Sequence, residues 1–307
     1  MGQPDVDEYR RSLPPDESSR PPKRGRVALV VAIALLALAL AILTSVRHTA
    51  PPARRGIQSA IPVDAFWSPA FTTRQSGSFG DQNMEVIPDP AGRFPLTLRV
   101  HYPKGSASEL VKNNNGAPVG GGQRYLVPRN SVPADSLALR YFVRFPNGFD
   151  FVKGGKLPGL YGGIQTSGRR IPDGTNGLST RYMWRAGGAG EVYAYLPTSQ
   201  EHGTSIGRGN WTFSTGTWHE IQQEIVLNDV GKGNGRITVW FDGKIVLAET
   251  GVLFRSSASL QIEGVLFSTF FGGGDSTWAT PVDTYADFAD FTVSPHAVNE
   301  PAAATTG

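Results

Sequence analysis

The residues in this chain whose types and spacing could do chemistry cluster between Tyr141 and Tyr195. Lys156 sits in GGKLPG, a glycine-flanked segment that reads as a turn, where a charged side chain is hard to explain as core or as a solubilising face. Ser179 and Arg181 lie two apart, as do Tyr193 and Tyr195, a spacing that points each pair to one face of a strand. A face collecting Lys, Ser, Arg and two Tyr is polar, aromatic and positive. That set suits β-elimination on a uronic-acid polymer. Such a reaction needs a cation against the substrate carboxylate, a base to take the acidified proton, and an acid to protonate the departing glycosidic oxygen. Arg offers bidentate donors to a carboxylate. Tyr serves as acid or base where nearby positive charge lowers its pKa. Lys supplies a point charge or, when desolvated, a base. Gln123, Arg99 and Arg124, on or beside early strands, are candidates to extend a carboxylate-binding groove. Trp278, in the Gly-rich GGGDSTWATP loop, is a candidate sugar-stacking platform, whereas the other tryptophans of the domain read as core.

Rival chemistries leave weaker marks. A glycoside hydrolase needs two carboxylates flanking the scissile bond. The nearest candidates, Glu220 and Glu224, are four apart and only roughly co-facial in a strand. A non-catalytic, lectin-like module could use the same basic, aromatic groove, and this alternative stays open. The chain has no cysteine, hence no thiolate metal site and no disulfide. His101, His202 and His219 show no pairing motif, and Asp283, Asp287 and Asp290 match no calcium loop, so they read as solvated turn residues. No metal and no cofactor is expected.

The elements that must position these groups are strands. Apolar residues recur with period two in LTLRVHY (96–102), LALRYFVRF (137–145), WHEIQQEIVL (218–227), RITVWFDGKIVL (236–247) and ADFTVS (289–294), punctuated by Gly, Pro, Asn and Asp. Asp-Gly in FDGK predicts a two-residue hairpin turn. The expected fold is all-β: an antiparallel β-sandwich or jelly roll over 59–295.

The segments outside that domain read differently. Residues 1–26 are rich in Pro and charge and are expected to be a disordered cytoplasmic tail. Residues 27–46, VALVVAIALLALALAILTSV, carry no charge and are long enough to cross a bilayer as a helix. Lys23, Arg24 and Arg26 before them predict a cytoplasmic N-terminus and an extracytoplasmic domain. The length of the apolar run and the absence of an A-x-A site favour an uncleaved anchor over a signal peptide and secretion. Residues 47–58 read as a stalk and 296–307 as a disordered tail. Without the first 46 residues, 23 Lys/Arg face 21 Asp/Glu (29 less 6, 26 less 5), with no clustered basic excess to suggest a nucleic-acid partner. The expected partners are an anionic polysaccharide and, through the apolar segment, a membrane; the domain is expected to be monomeric.

GFDFVKGGKLPGLYGG, then STRYMWR, then YAY, resembles polysaccharide lyase family 14. The likeness is strongest over 137–196 and continues weakly through WHEIQQEIVLND, the FDG hairpin and 267–293. It implies a β-jelly roll that degrades alginate or a related polyuronate by β-elimination without a cofactor. The family's catalytic lysine falls on Lys156, its serine and arginine on Ser179 and Arg181, and its paired tyrosines on Tyr193 and Tyr195. The resemblance implies that Lys156 and Arg181 meet the substrate carboxylate or the charge developing on it. It implies proton transfer by a tyrosine and orientation of substrate by Ser179.

Overall fold

The computed structural model describes residues 61–108, 116–129 and 133–298. The tail 1–26, the apolar segment 27–46, the stalk 47–58 and residues 299–307 lie outside the described residues. Among the described residues no helix is long and apolar enough to cross a membrane.

The alternating segments form two seven-stranded antiparallel sheets. In spatial order the first is β1 (Phe71–Phe79), β4 (Gly122–Pro128), β13 (Gly264–Phe271), β6 (Gly154–Gly163), β7 (Gly177–Arg185), β8 (Gly190–Tyr195) and β9 (Thr204–Ile206). The second is β12 (Lys244–Val252), β11 (Gly235–Phe241), β10 (Trp218–Val226), β5 (Ser136–Arg144), β14 (Thr284–Ser294), β3 (Thr97–Tyr102) and β2 (Met84–Ile87). One short helix, α1 (Val63–Trp67), lays Trp67 edge-on against Phe267, with ring centroids 5.1 Å apart. The architecture is the jelly-roll-like sandwich that the alternation predicts.

Period two decides which side chains enter the core. From the first sheet Leu126, Leu157, Tyr182, Trp184 and Phe267 point inward, and from the second Leu98, Val100, Tyr141, Val143 and Ile221 meet them. Burying one such side chain contributes roughly 1.5–3 kcal/mol, and a chain without disulfides rests on this layer. Polar bridges cross it too, among them a reciprocal pair between β7 and β10. The Thr180 hydroxyl donates to Gln223 Oε1 at 2.6 Å, and Gln223 Nε2 donates back to the Thr180 carbonyl at 3.1 Å.

The FDGK hairpin forms as its residues predict. Phe241 pairs with Lys244, and Asp242 and Gly243 both take positive φ, +49° and +76°. GGKLPG departs from expectation: it is not a turn but the start of β6, in the middle of the first sheet. Its glycine and proline have other work. A Cβ on Gly155 would sit 2.0 Å from the Trp184 indole, so glycine lets that ring pack onto the strand. Pro158, which cannot donate to a ladder, falls where the register with β7 shifts between Leu157 and Gly159. Its carbonyl accepts from the Tyr141 hydroxyl at 3.1 Å.

Candidate active site

β6, β7 and β8 are consecutive neighbours, and their register assembles the site. Lys156 lies opposite Met183, Arg181 opposite Tyr193, and Ser179 opposite Tyr195. On β7, Thr180, Tyr182 and Trp184 face the core, which turns Arg181, Met183 and Arg185 to the other side. A cleft of about 660 Å³ runs over that outer face. Lys156, Arg181, Tyr193, Tyr195, Gln123 and Trp278 all line it.

Lys156 Nζ sits 3.4 Å from the centroid of the Tyr193 ring and 2.7 Å from Met183 Sδ, a weak acceptor. Burial, then the positive charges of Arg181 and Arg185, hold its pKa well below the usual lysine range against the opposing pull of Glu191. A lysine in that setting gives up its proton more readily than an exposed one, which suits it to act as a base. Arg181 is almost wholly buried; its Nη1 donates to Ser268 Oγ at 3.1 Å and its guanidinium lies 5.8 Å from the Tyr195 ring centroid. The two tyrosine rings meet edge to face at 5.9 Å. The Tyr193 hydroxyl accepts from Gly203 N–H at 3.1 Å, and the Tyr195 hydroxyl accepts from Arg169 N–H at 3.4 Å. Burial, reinforced by Tyr195, raises the Tyr193 pKa, so its phenol keeps its proton and can give it away.

Three predicted residues stand elsewhere. Ser179 is fully buried and does not line the cleft. Its hydroxyl donates to the Thr166 carbonyl at 2.7 Å, and the Thr166 hydroxyl pairs with Tyr125 Oη at 2.9 Å, so Ser179 braces the loop beside the cleft rather than facing a substrate. Arg99 belongs to β3 in the opposite sheet. It forks onto Asp287 at 2.8 and 3.0 Å beneath the Tyr285 ring, and so it is no part of the groove. Arg124 is buried and ion-paired with Asp81. Gln123 lines the cleft with its Nε2 donating to the Gly77 carbonyl at 2.8 Å.

The structure adds residues that the sequence reading passed over. Arg185 donates Nε and Nη2 to Glu191 Oε1 at 2.8 and 2.5 Å; Glu191, fully buried, also accepts from Arg208 Nε at 2.5 Å and Ser205 Oγ at 3.1 Å. Both were within reach of the alternation, since Arg185 continues the Arg181 face and Glu191 precedes Tyr193 by two. Arg169 and Arg170 come from the β6–β7 loop, where no periodicity marks them.

The charge balance is one-sided. Lys156, Arg169, Arg170, Arg181 and Arg185 line the cleft, and no Asp or Glu does among the described residues. Glu220 and Glu224 lie on β10 in the other sheet. Among the described residues no group of three or more His, Cys, Asp or Glu stands together as a metal site. The cleft is therefore a receptor for an anion that carries phenols and a deprotonatable amine on its wall.

Fold and cleft together define a jelly roll with a cation-lined, aromatic cleft on its outer face. The family profile described as Polysaccharide lyase 14 matches residues 93–291, and the chain belongs to that family. Among solved structures it is similar to the PL-14 alginate lyase from Aplysia kurodai, at 33% identity and a TM-score of 0.62, over 72% of this chain and 90% of that one. The alginate lyase vAL-1 from Chlorella virus shares the fold, at 23% identity and a TM-score of 0.60, over 69% of this chain and 89% of that one. The curated relative Exolysin of Paramecium bursaria Chlorella virus 1 is 29% identical over 199 residues, 53% of this chain. That match spans 30% of the relative's length.

Proposed function

We propose that the protein cleaves an alginate-type polyuronate by β-elimination, with Lys156 as base and the Tyr193–Tyr195 pair as the source of the acid. The observation that carries this reading is the cation-only cleft holding a depressed-pKa lysine against a tyrosine ring. Arg181 neutralises the uronate carboxylate and so acidifies the C5–H bond beside it. The Lys156 amine takes that proton. The C–H electron pair becomes the C4–C5 double bond, the C4–O bond breaks, and a phenol protonates the leaving oxygen. The absence of a carboxylate pair from the described lining argues against hydrolysis, which needs two such groups across the bond. The names of the Aplysia and Chlorella virus neighbours favour alginate among the uronates.

The experiment follows the ultraviolet absorbance of unsaturated uronate when the protein meets polymannuronate, polyguluronate, glucuronan or a neutral glucan. Growth on a uronate and none on the glucan is expected, with kcat/KM rising with pH through the depressed Lys156 pKa. Uronate bound tightly with no absorbance would make the domain a lectin-like module. New reducing ends without absorbance would make it a hydrolase.

We further propose that the apolar run 27–46, following Lys23, Arg24 and Arg26, tethers the domain to the outer side of a membrane, close to the cell's own surface polymer. Release of the protein from washed membranes by high salt alone would overturn the tether.

A further inference from the structure

Next to the catalytic cluster lies a second patch of chemistry that the reaction above leaves unused. The loop after β13 runs GGGDSTW, and each of its parts fixes Trp278 in place. A Cβ on Gly273 would sit 2.1 Å from the indole, so the ring lies flat against a backbone that only glycine leaves bare. Asp275 accepts from Thr277 N–H at 2.8 Å and from the Thr277 hydroxyl, which turns the chain into the short 3-10 turn Ser276–Trp278.

Two cations flank the ring, one from the end of a strand and one from a turn. Arg185, from the end of β7, has its guanidinium carbon 6.0 Å from the Trp278 centroid and 5.8 Å from the Tyr193 centroid. Lys153, just before β6, has its Nζ 5.9 Å from the indole and donates to Thr277 Oγ1 at 2.5 Å. Arg185 is held from behind by buried Glu191, which Arg208 and Ser205 hold in turn. Trp278 and Arg185 both line the cleft. Neighbouring contacts therefore run along the wall from Lys156 through Tyr193 and Arg185 to Trp278, and Lys153 stands beside the indole just outside the lining.

An aromatic plate beside fixed guanidinium and ammonium groups has the complement of a pyranose bearing a carboxylate: the sugar's C–H face stacks on the ring and the carboxylate meets the cations. We infer that Trp278, Arg185 and Lys153 form an adjoining subsite that binds a second uronate residue of the chain being cut. Glu191 is its positioning residue, fixing the Arg185 fork rather than touching sugar. This subsite rests on the polyuronate reading above and adds what that reading lacks, a reason for the enzyme to prefer long chains. Binding energy gained there, away from the reacting bond, is available to orient the scissile residue.

The test uses the full protein carrying Lys156→Met, so that uronate oligosaccharides survive titration. Affinity for a series of oligouronates is measured by calorimetry in that background and again after adding Trp278→Ala, Arg185→Gln or Lys153→Ala. Lys153 is exposed and provides a variant that leaves the Glu191 network untouched. Affinity is expected to climb with chain length in the parent. Trp278→Ala is expected to weaken long chains by about tenfold, equivalent to about 1.4 kcal/mol, and to flatten that climb. Lys153→Ala is expected to flatten it less. Equal losses at every length, or none, would overturn the subsite. Length-dependent binding that needs Trp278, in a protein whose wild type releases no unsaturated uronate, would leave the subsite standing and overturn the lyase.

Discussion

Both sheets turn arginines away from the core, and both hold some of them with carboxylates, Arg185 by Glu191 on the first sheet among them. The contrast lies between those paired cations and the two at the centre of the cleft. On the second sheet the arginines of β3 and β5 have carboxylates: Arg99 and Arg144 share fully buried Asp287, and Arg140 pairs with Asp290. On the first sheet the Lys156 amine has a thioether and a ring, and Arg181 has a serine hydroxyl. A paired charge in a half-buried place is a structural part, because removing its partner exposes the survivor to the full desolvation penalty. A buried cation without a carboxylate is destabilising in the resting protein. It persists where an incoming anion completes it. The comparison separates scaffold from site without reference to any relative.

The largest effect that would break this contrast is on catalysis. Lys156→Met should lower kcat/KM by about 10²–10⁴-fold, the range for loss of a general base. It should also leave the fold as stable or stabler at neutral pH. Folding lowers the proton affinity of Lys156 below its ordinary 10.5. Between the depressed value and 10.5 the unfolded chain thus binds more protons, and wild-type stability rises with pH there. The thermal advantage of the methionine variant should accordingly be greatest at low pH and shrink as pH approaches about 10. A variant less stable than wild type across that range would mean that Lys156 is a structural part after all.

On the opposite face the expectation reverses. Asp287→Ala leaves Arg99 and Arg144 facing each other without their carboxylate, and should cost about 3–5 kcal/mol by chemical denaturation. Whatever folded protein remains should keep the wild-type pH profile of cleavage, since Asp287 lies on the sheet away from the cleft. A shifted profile would show that the two faces are electrostatically coupled.

How much of this contrast was legible in the sequence depends on the range of the interaction. Alternation is local, so the strands that build the sandwich and the Asp242–Gly243 turn could be read directly. β6 could not, because its glycines answer to the Trp184 ring and its proline to a register shift, both set by β7. For the site, the residue types at Lys156, Arg181, Tyr193 and Tyr195 name a chemistry, and one ladder register places them in one cleft. Arg99 looked equally apt by type, but its partner Asp287 lies 188 residues away and is invisible to any local pattern. Whether an arginine waits for substrate or serves the scaffold is decided by what stands opposite it in the folded chain. That partner is tertiary information.

The smallest effect probes the layer between the faces. Thr180 and Gln223 exchange two hydrogen bonds across the core, and the neighbour of Thr180 on β7 is Arg181. Thr180→Val keeps the shape but leaves Gln223 Oε1 without its hydroxyl donor, which should cost about 1–3 kcal/mol. If the cleft is organised by the β6–β7–β8 register alone, the variant should melt earlier while KM for polyuronate stays put. A raised KM at unchanged kcat would instead show that the polar bridge to β10 sets the depth at which Arg181 meets the substrate. The second sheet would then be part of the site's geometry and not only its support.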